Sequence, residues 1–140
     1  MARLLGTSLM RDGGLRQLFR KHLPDVFWIS VESGGTGRGI PDSHALFEGK
    51  TCWIEFKNIK TGWKTSLTPE QIGWHLRYAR YGGRSFIAIR KADELWIVPG
   101  RLAEHCCSLK VLPAYFIEAE YFNGGPVRWD WNIIKKFIFY

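Results

Sequence analysis

Asp42, Glu55 and Lys57 are the residues whose types and spacing point to chemistry. They lie within residues 38–57, where the run R-G-I-P-D is followed by twelve residues and then E-F-K. Two carboxylates brought together offer hard oxygen ligands to Mg²⁺, an ion that keeps several waters and binds phosphate oxygens. Such an ion polarises a phosphate and lowers the pKa of a bound water. A lysine beside it orients that water or neutralises developing negative charge. The chemistry this set suits is phosphodiester hydrolysis, with Mn²⁺ expected to substitute for Mg²⁺.

A hairpin would bring the three together. Residues 45–48 and 51–57 read as strands, and Gly49-Lys50 between them reads as a type II′ turn with glycine first. That turn predicts Glu48 opposite Thr51, Leu46 opposite Trp53, His44 opposite Glu55 and Asp42 opposite Lys57. Side chains alternate across a strand, so Asp42, Glu55 and Lys57 share one sheet face. Asp42 and Glu55 are then diagonal neighbours, roughly 7–8 Å apart at the backbone. Phe56 points to the opposite face, into the core, and its backbone carbonyl stays near the metal as a further ligand. His44 falls on the metal face, where it is a candidate acid, base or ligand; a strand histidine is more often simply half-buried.

Each feature has an ordinary reading as well. An E-x-K on a strand is often an exposed ion pair worth little. A single aspartate before a strand is often a turn residue. The glycines of residues 33–39 (S-G-G-T-G-R-G) allow close backbone approach to phosphate, or serve only as a loose loop.

The elements that must position these residues are legible on either side. Leu15, Leu18, Phe19 and Leu23 are spaced as one helical face, after Gly13-Gly14 and before Pro24. Residues 26–31 read as a buried strand. Thr68-Pro69-Glu70-Gln71 opens a second helix, with Thr68 as N-cap, Pro69 at the first helical position and Gln71 completing a capping box. Ile72, Leu76 and Ala79 are its expected buried face, and Gly82-Gly83 end it. Short strands follow at 86–90 and 95–98. Beyond Pro99, residues 114–121 read as a strand, 123–126 as a turn, and 131–139 as a short helix or an edge strand. The order is helix, strand, hairpin, helix, strand, strand: a single α/β domain over residues 1–140 with a mixed central sheet flanked by helices. Its core spans about residues 15–98, and 99–140 form a C-terminal extension.

Composition fits this reading. The 140 residues suit one hydrophobic core, and 46% hydrophobic with 24% charged residues excludes a disordered chain. The formal charge of +7 and pI near 9.5 suit a polyanionic partner, chiefly nucleic acid. Cys52, Cys106 and Cys107 are an odd number without framework or zinc-site spacing, which predicts free thiols in a reducing compartment. No stretch approaches a membrane span and the first ten residues lack a signal-peptide core, so a cytoplasmic location is expected.

The segment G-I-P-D…I-E-F-K resembles the PD-(D/E)XK nuclease superfamily, and more narrowly its VRR-NUC and Holliday-junction-resolvase-like branch. The resemblance covers roughly residues 33–90 and rests on Arg38, Gly39, Pro41-Asp42, Glu55, Lys57, Gln71 and Gly83. It implies a restriction-endonuclease-like fold. It also implies Asp42 and Glu55 as metal ligands, Lys57 as the catalytic lysine, and Gln71 beside the active site. The capping box explains Gln71 independently. Many relatives carry a further glutamate on the first helix. Here that helix has none, and Asp12 and Glu32 are the candidates for its place.

DNA is the expected partner. Arg38, Lys60 and Lys64 would reach backbone phosphates, and Trp63 would stack on an unpaired base. Trp74, Arg77 and Tyr81 form a second stripe on the helix, either a contact surface or packing. Nothing resembles a base-reading module, so the expectation is cutting of branched or otherwise structured DNA, in repair, recombination or a phage or mobile element. A homodimer, with Phe137, Phe139 and Tyr140 at its interface, would match a symmetric junction. The alternative is a catalytically silent DNA-binding module, or a nuclease subunit of a larger repair, restriction or transposition complex.

Overall fold

The computed structural model describes residues 12–31, 39–106 and 118–140. Helix α1 (Leu15–His22) starts where the Asp12 carboxylate accepts the backbone N–H groups of Gly14 (3.0 Å) and Arg16 (3.1 Å), which would otherwise lack partners. Its Leu15 and Phe19 are buried, as their spacing predicts. Strand β1 (Phe27–Ser30) follows, then β2 (Ser43–Phe47) and β3 (Lys50–Asn58). Helix α2 (Pro69–Arg80) is opened by the expected capping box: Thr68 Oγ1 accepts from Gln71 N at 3.1 Å and Gln71 Oε1 accepts from Thr68 N at 2.9 Å. Strands β4 (Ser85–Lys91) and β5 (Glu94–Pro99) come next, then a 3₁₀ turn (Gly100–Leu102) and the short helix α3 (Ala103–Cys106). Strand β6 (Glu120–Phe122) and helix α4 (Trp131–Phe139) complete the described chain.

The six strands form one sheet in chain order, β1 to β6. Every neighbouring pair is antiparallel except β3 and β4, which run parallel with α2 as their crossover. The fold is therefore the expected α/β domain with a mixed sheet. On one face α1 and α4 cover Ala45, Cys52, Ile54, Phe56, Phe86 and Ala88; on the other α2 and α3 lie over Ile87, Ile89, Trp96 and Val98. Even-numbered β3 residues thus enter the first core, and Trp53, Glu55 and Lys57 face α2. Cys52 carries a free thiol, and burial pushes it up to about 12, which leaves it unreactive. Among the described residues no helix is long and apolar enough to cross a membrane.

Besides β1, an edge strand with Phe27 and Ile29 exposed rather than the buried strand expected, three expectations are corrected. The β2–β3 turn is Glu48-Gly49, with Phe47 paired to Lys50, so the register is Leu46 opposite Thr51 and His44 opposite Trp53. Both turn residues have positive φ (50° and 77°), the type I′ pattern rather than type II′. The change moves the pairing by two residues, an even shift, so each side chain keeps its face. The Tyr140 hydroxyl donates to the Glu48 carboxylate, and Lys50 Nζ lies 4.5 Å from the centre of the Tyr140 ring, fixing this turn from outside. Second, the residues offered for a dimer interface are largely packed within the chain: Phe139 is buried and Phe137 rests against Phe86 at 5.4 Å. Residues 131–139 form a helix, capped by Asp130 through the Ile133 amide at 3.1 Å, whose Ile134 and Ile138 join the α1 core. Third, α2 does not bury Ile72, Leu76 and Ala79, which are all half-exposed; its one buried side chain is His75.

Candidate active site

Asp42 immediately precedes β2, whose Ser43 pairs with Ile54. Continuing that register sets Asp42 opposite Glu55, closer than the diagonal placement that the sequence suggested. Asp42 Oδ2 accepts the Phe56 N–H at 2.9 Å, which ties the loop before β2 to β3. Phe56 itself points into the first core, its ring 5.0 Å from that of Phe19. The apolar contact beneath the sheet therefore fixes the backbone amide that holds Asp42 above it.

Gly39 sets the approach of this loop. Its φ is +79°, and a Cβ there would lie 2.2 Å from the Glu70 carbonyl oxygen. The glycine allows the segment leading to Asp42 to press against the first turn of α2. Its close approach is thus to this chain's own helix, rather than to the phosphate anticipated for it. Gly83 has a similar role, since a Cβ there would meet the Tyr78 ring at 2.2 Å.

Glu55 is only 3% exposed. Its two oxygens are treated differently. Oε2 accepts from Gln71 Nε2 at 3.1 Å and lies 3.5 Å from Lys57 Nζ. Oε1 is buried and has no hydrogen-bond partner among the described residues. Burial, and secondly the Asp42 charge, push the Glu55 carboxyl up to about 8, against the opposing pull of Lys57. Burial likewise raises Asp42, opposed by the Phe56 amide and by Lys57 and Arg16, with Asp12 adding a small upward push. Two adjoining carboxyls, Glu55 buried and Asp42 half-buried, each destabilised as an anion, and one oxygen without a donor form a set that a divalent cation fits. Among the described residues no cluster of three or more His, Cys, Asp or Glu is present. A cation held here would thus rest on two carboxylates, with backbone carbonyl, water and phosphate oxygens completing its shell.

Gln71 makes two separate contacts. The same amide closes the capping box through Oε1 and reaches the site through Nε2. His44 is half-buried on the site's face, its ring 4.7 Å from that of Trp53. Asp12 directs both oxygens to the start of α1 but is near enough for its charge to act on Asp42. Lys60 and Lys64 are exposed on the loop after β3. Trp63, on the same loop, packs edge-on to Trp96 at 6.0 Å, with Lys91 Nζ 4.9 Å from its ring centre. Trp74 stacks on Tyr78 at 4.6 Å, so it belongs to packing, whereas Tyr81 is 91% exposed. Arg38, Glu32 and the glycines at 34, 35 and 37 lie outside the described residues.

Sequence reasoning missed two contributors. Arg16, one turn before Arg20 on α1, brings a positive charge that favours the Asp42 anion. Arg20 donates to Ser30 Oγ at 2.6 Å and approaches Ser43 Oγ at 3.4 Å, joining α1 to the strands beside Asp42. The available signal was their position off the apolar stripe, at a spacing that puts both on one side of the helix.

No protein family matches the chain, and no curated protein matches it. Among solved structures it is similar to Hjc, a Holliday junction resolvase from the archaeal hyperthermophile Archaeoglobus fulgidus. The two share 18% identity with a TM-score of 0.49, over 63% of this chain and 75% of that one.

Proposed function

We propose that this chain is a Mg²⁺-dependent endodeoxyribonuclease of the PD-(D/E)XK type, hydrolysing phosphodiester bonds in branched or structured DNA. One observation carries the reading. The half-buried Asp42 and buried Glu55 carboxyls adjoin on one sheet face, with Lys57 and Gln71 both engaging Glu55 Oε2 while Oε1 has no donor among the described residues. Asp42, Glu55 Oε1 and the Phe56 carbonyl would hold the ion, with Mn²⁺ able to replace it. When bound, the ion supplies Lewis-acid charge to the phosphate and acidifies a water. Lys57 orients the attacking water and offsets charge developing on phosphorus oxygens. Gln71 fixes the Glu55 carboxylate so that one defined oxygen faces the ion.

The net charge of +7 supports a DNA substrate, with Lys60, Lys64 and Arg38 as phosphate contacts. The G-I-P-D…E-F-K resemblance supports a branched substrate and a two-fold dimer. The test is cleavage of labelled four-way junction, flap, single-stranded and duplex DNA with Mg²⁺, Mn²⁺ or EDTA. Metal-dependent cutting, strongest on the junction, is expected. Equal DNA binding with and without metal, and no cutting of any substrate, would select the silent module or a subunit that needs partners.

A further inference from the structure

Helix α2 brings Gln71 to Glu55, yet its seat on the sheet is unusual. Its single buried side chain is a histidine, with Ile72, Leu76 and Ala79 only half-buried around it. His75 lies one helical turn beyond Gln71, on the same side of the helix. Its Nδ1 and the Ser85 hydroxyl hydrogen-bond at 2.8 Å, and Ser85, at the start of β4, is itself buried. Nε2 has no partner among the described residues. A third element makes room for the pair: a Cβ at Gly100 would lie 2.0 Å from Ser85 Oγ and 2.9 Å from His75 Nδ1. Three positions on a helix, a strand and a turn are therefore given over to one polar contact in the core.

An apolar side chain at position 75 would remove the unpartnered nitrogen and its desolvation cost. What it would not supply is direction. Apolar contacts let a helix slide or roll on a sheet at little cost, whereas one buried hydrogen bond selects one placement. Ser85 pairs with Trp53 across the parallel β3–β4 ladder, two residues before Glu55 on the same face. The His75–Ser85 bond thus locks α2 to the strand pair that carries Glu55.

We propose that His75 is a positioning residue: through Ser85 it sets the placement of α2 and so holds Gln71 Nε2 on Glu55 Oε2. This rests on the nuclease reading for its catalytic consequence, but not for its structural one. Burial, with a smaller push from Lys57, lowers the His75 imidazole to about 4, so it stays neutral where the enzyme would work.

The experiment combines Ser85→Ala, His75→Leu and His75→Asn with Gln71→Ala, read in two ways. In metal-free protein, the Gln71 side-chain amide resonances are followed by ¹⁵N–¹H NMR. With Mg²⁺, single-turnover cleavage and its half-saturating Mg²⁺ concentration are measured on four-way junction DNA. Ser85→Ala and His75→Leu should shift the Gln71 side-chain signals and slow cleavage by about tenfold. In the Gln71→Ala background the same changes should cost less than about twofold, because the effect passes through Gln71. His75→Asn, which keeps a polar group near the Nδ1 position, should recover most of the rate. Unchanged Gln71 signals in Ser85→Ala, or an equal loss with and without Gln71, would overturn the proposal. If His75→Leu fails to fold, the milder Ser85→Ala decides alone. If the wild type cuts no substrate, the nuclease reading fails, and the NMR arm still decides the role of His75.

Discussion

Gln71 Nε2 donates to Glu55 Oε2 across 3.1 Å while the other end of the same amide caps its own helix through Thr68. Removing the amide should therefore act on the site and on the helix start together. Gln71→Ala is expected to lower the cleavage rate by about tenfold and stability by about 1 kcal/mol. Gln71→Glu should keep the cap yet place a third carboxylate against Glu55, so cutting falls although the helix stays capped. Single-turnover kinetics beside urea unfolding separates the two effects.

Asp42→Asn and Glu55→Gln should each reduce cutting by about a thousandfold or more, while DNA affinity measured in EDTA stays within about twofold. Retained cutting in either variant would mean that the carboxylates are not the metal-holding pair. Gel-shift and cleavage assays on the same junction DNA give both numbers.

Lys57→Ala removes the ammonium that lies 3.5 Å from Glu55 Oε2. Turnover should drop by about a hundredfold, with Mn²⁺ affinity by calorimetry changed by less than about threefold. A Mn²⁺ affinity that collapsed instead would make Lys57 a structural support of the carboxylates.

Glu55 also predicts a pH dependence of stability. Its folded value of about 8 lies above the ordinary 4.5, so the folded state keeps a proton that the unfolded state releases. Stability from this group is then greatest at low pH and declines as pH rises between those values. His75, lowered to about 4 from 6.5, acts in the opposite sense, but only below about pH 6.5. In EDTA, Tm should therefore fall between pH 6.5 and 8, by up to about 2 kcal/mol in stability. Glu55→Gln should flatten this decline, and saturating Mg²⁺ should abolish it, because the bound ion stabilises the anion. Differential scanning fluorimetry across that interval is sufficient.

Gly39→Ala places a methyl group against the Glu70 carbonyl at a φ that L side chains rarely adopt. The loop carrying Asp42 must then lift from α2. A loss of about 2 kcal/mol or more is expected in urea unfolding, with cutting reduced beyond what the remaining folded fraction explains.

Much of the site was legible because it depends on parity and local signals. Alternation along β3 set Glu55 and Lys57 on one face, and the Thr68-Pro69-Gln71 cap announced α2 within a few residues. The register was not legible, because glycine in a turn signals a positive φ without saying which partner shares it. Glu48 takes that conformation here although its residue type does not advertise it. The sequence also marked Ile72, Leu76 and Ala79 as the buried stripe of α2, where His75 is the buried residue. A histidine's hydrogen-bond partner ten residues away, across a turn, leaves no periodic trace. The last helix was ambiguous with a strand until Asp130 was seen to cap it.

The single parallel joint in the sheet has a kinetic meaning. Strands β1 to β3, and likewise β4 with β5, are antiparallel runs, and the β2–β3 and β4–β5 hairpins are closed by near neighbours in sequence. The β3–β4 seam instead pairs residues about thirty apart, Trp53 with Ser85 being one such pair. Loop closure over that span predicts that the seam forms after the β2–β3 and β4–β5 hairpins, which pulse-labelled hydrogen exchange would read. The Phe56 amide, bonded to Asp42 within the first run, should gain protection from hydrogen exchange before Gln71 reaches Glu55. The chain would thus pass through a stage in which both carboxylates face each other with no helix above them, and a competent site would emerge only as the two halves join.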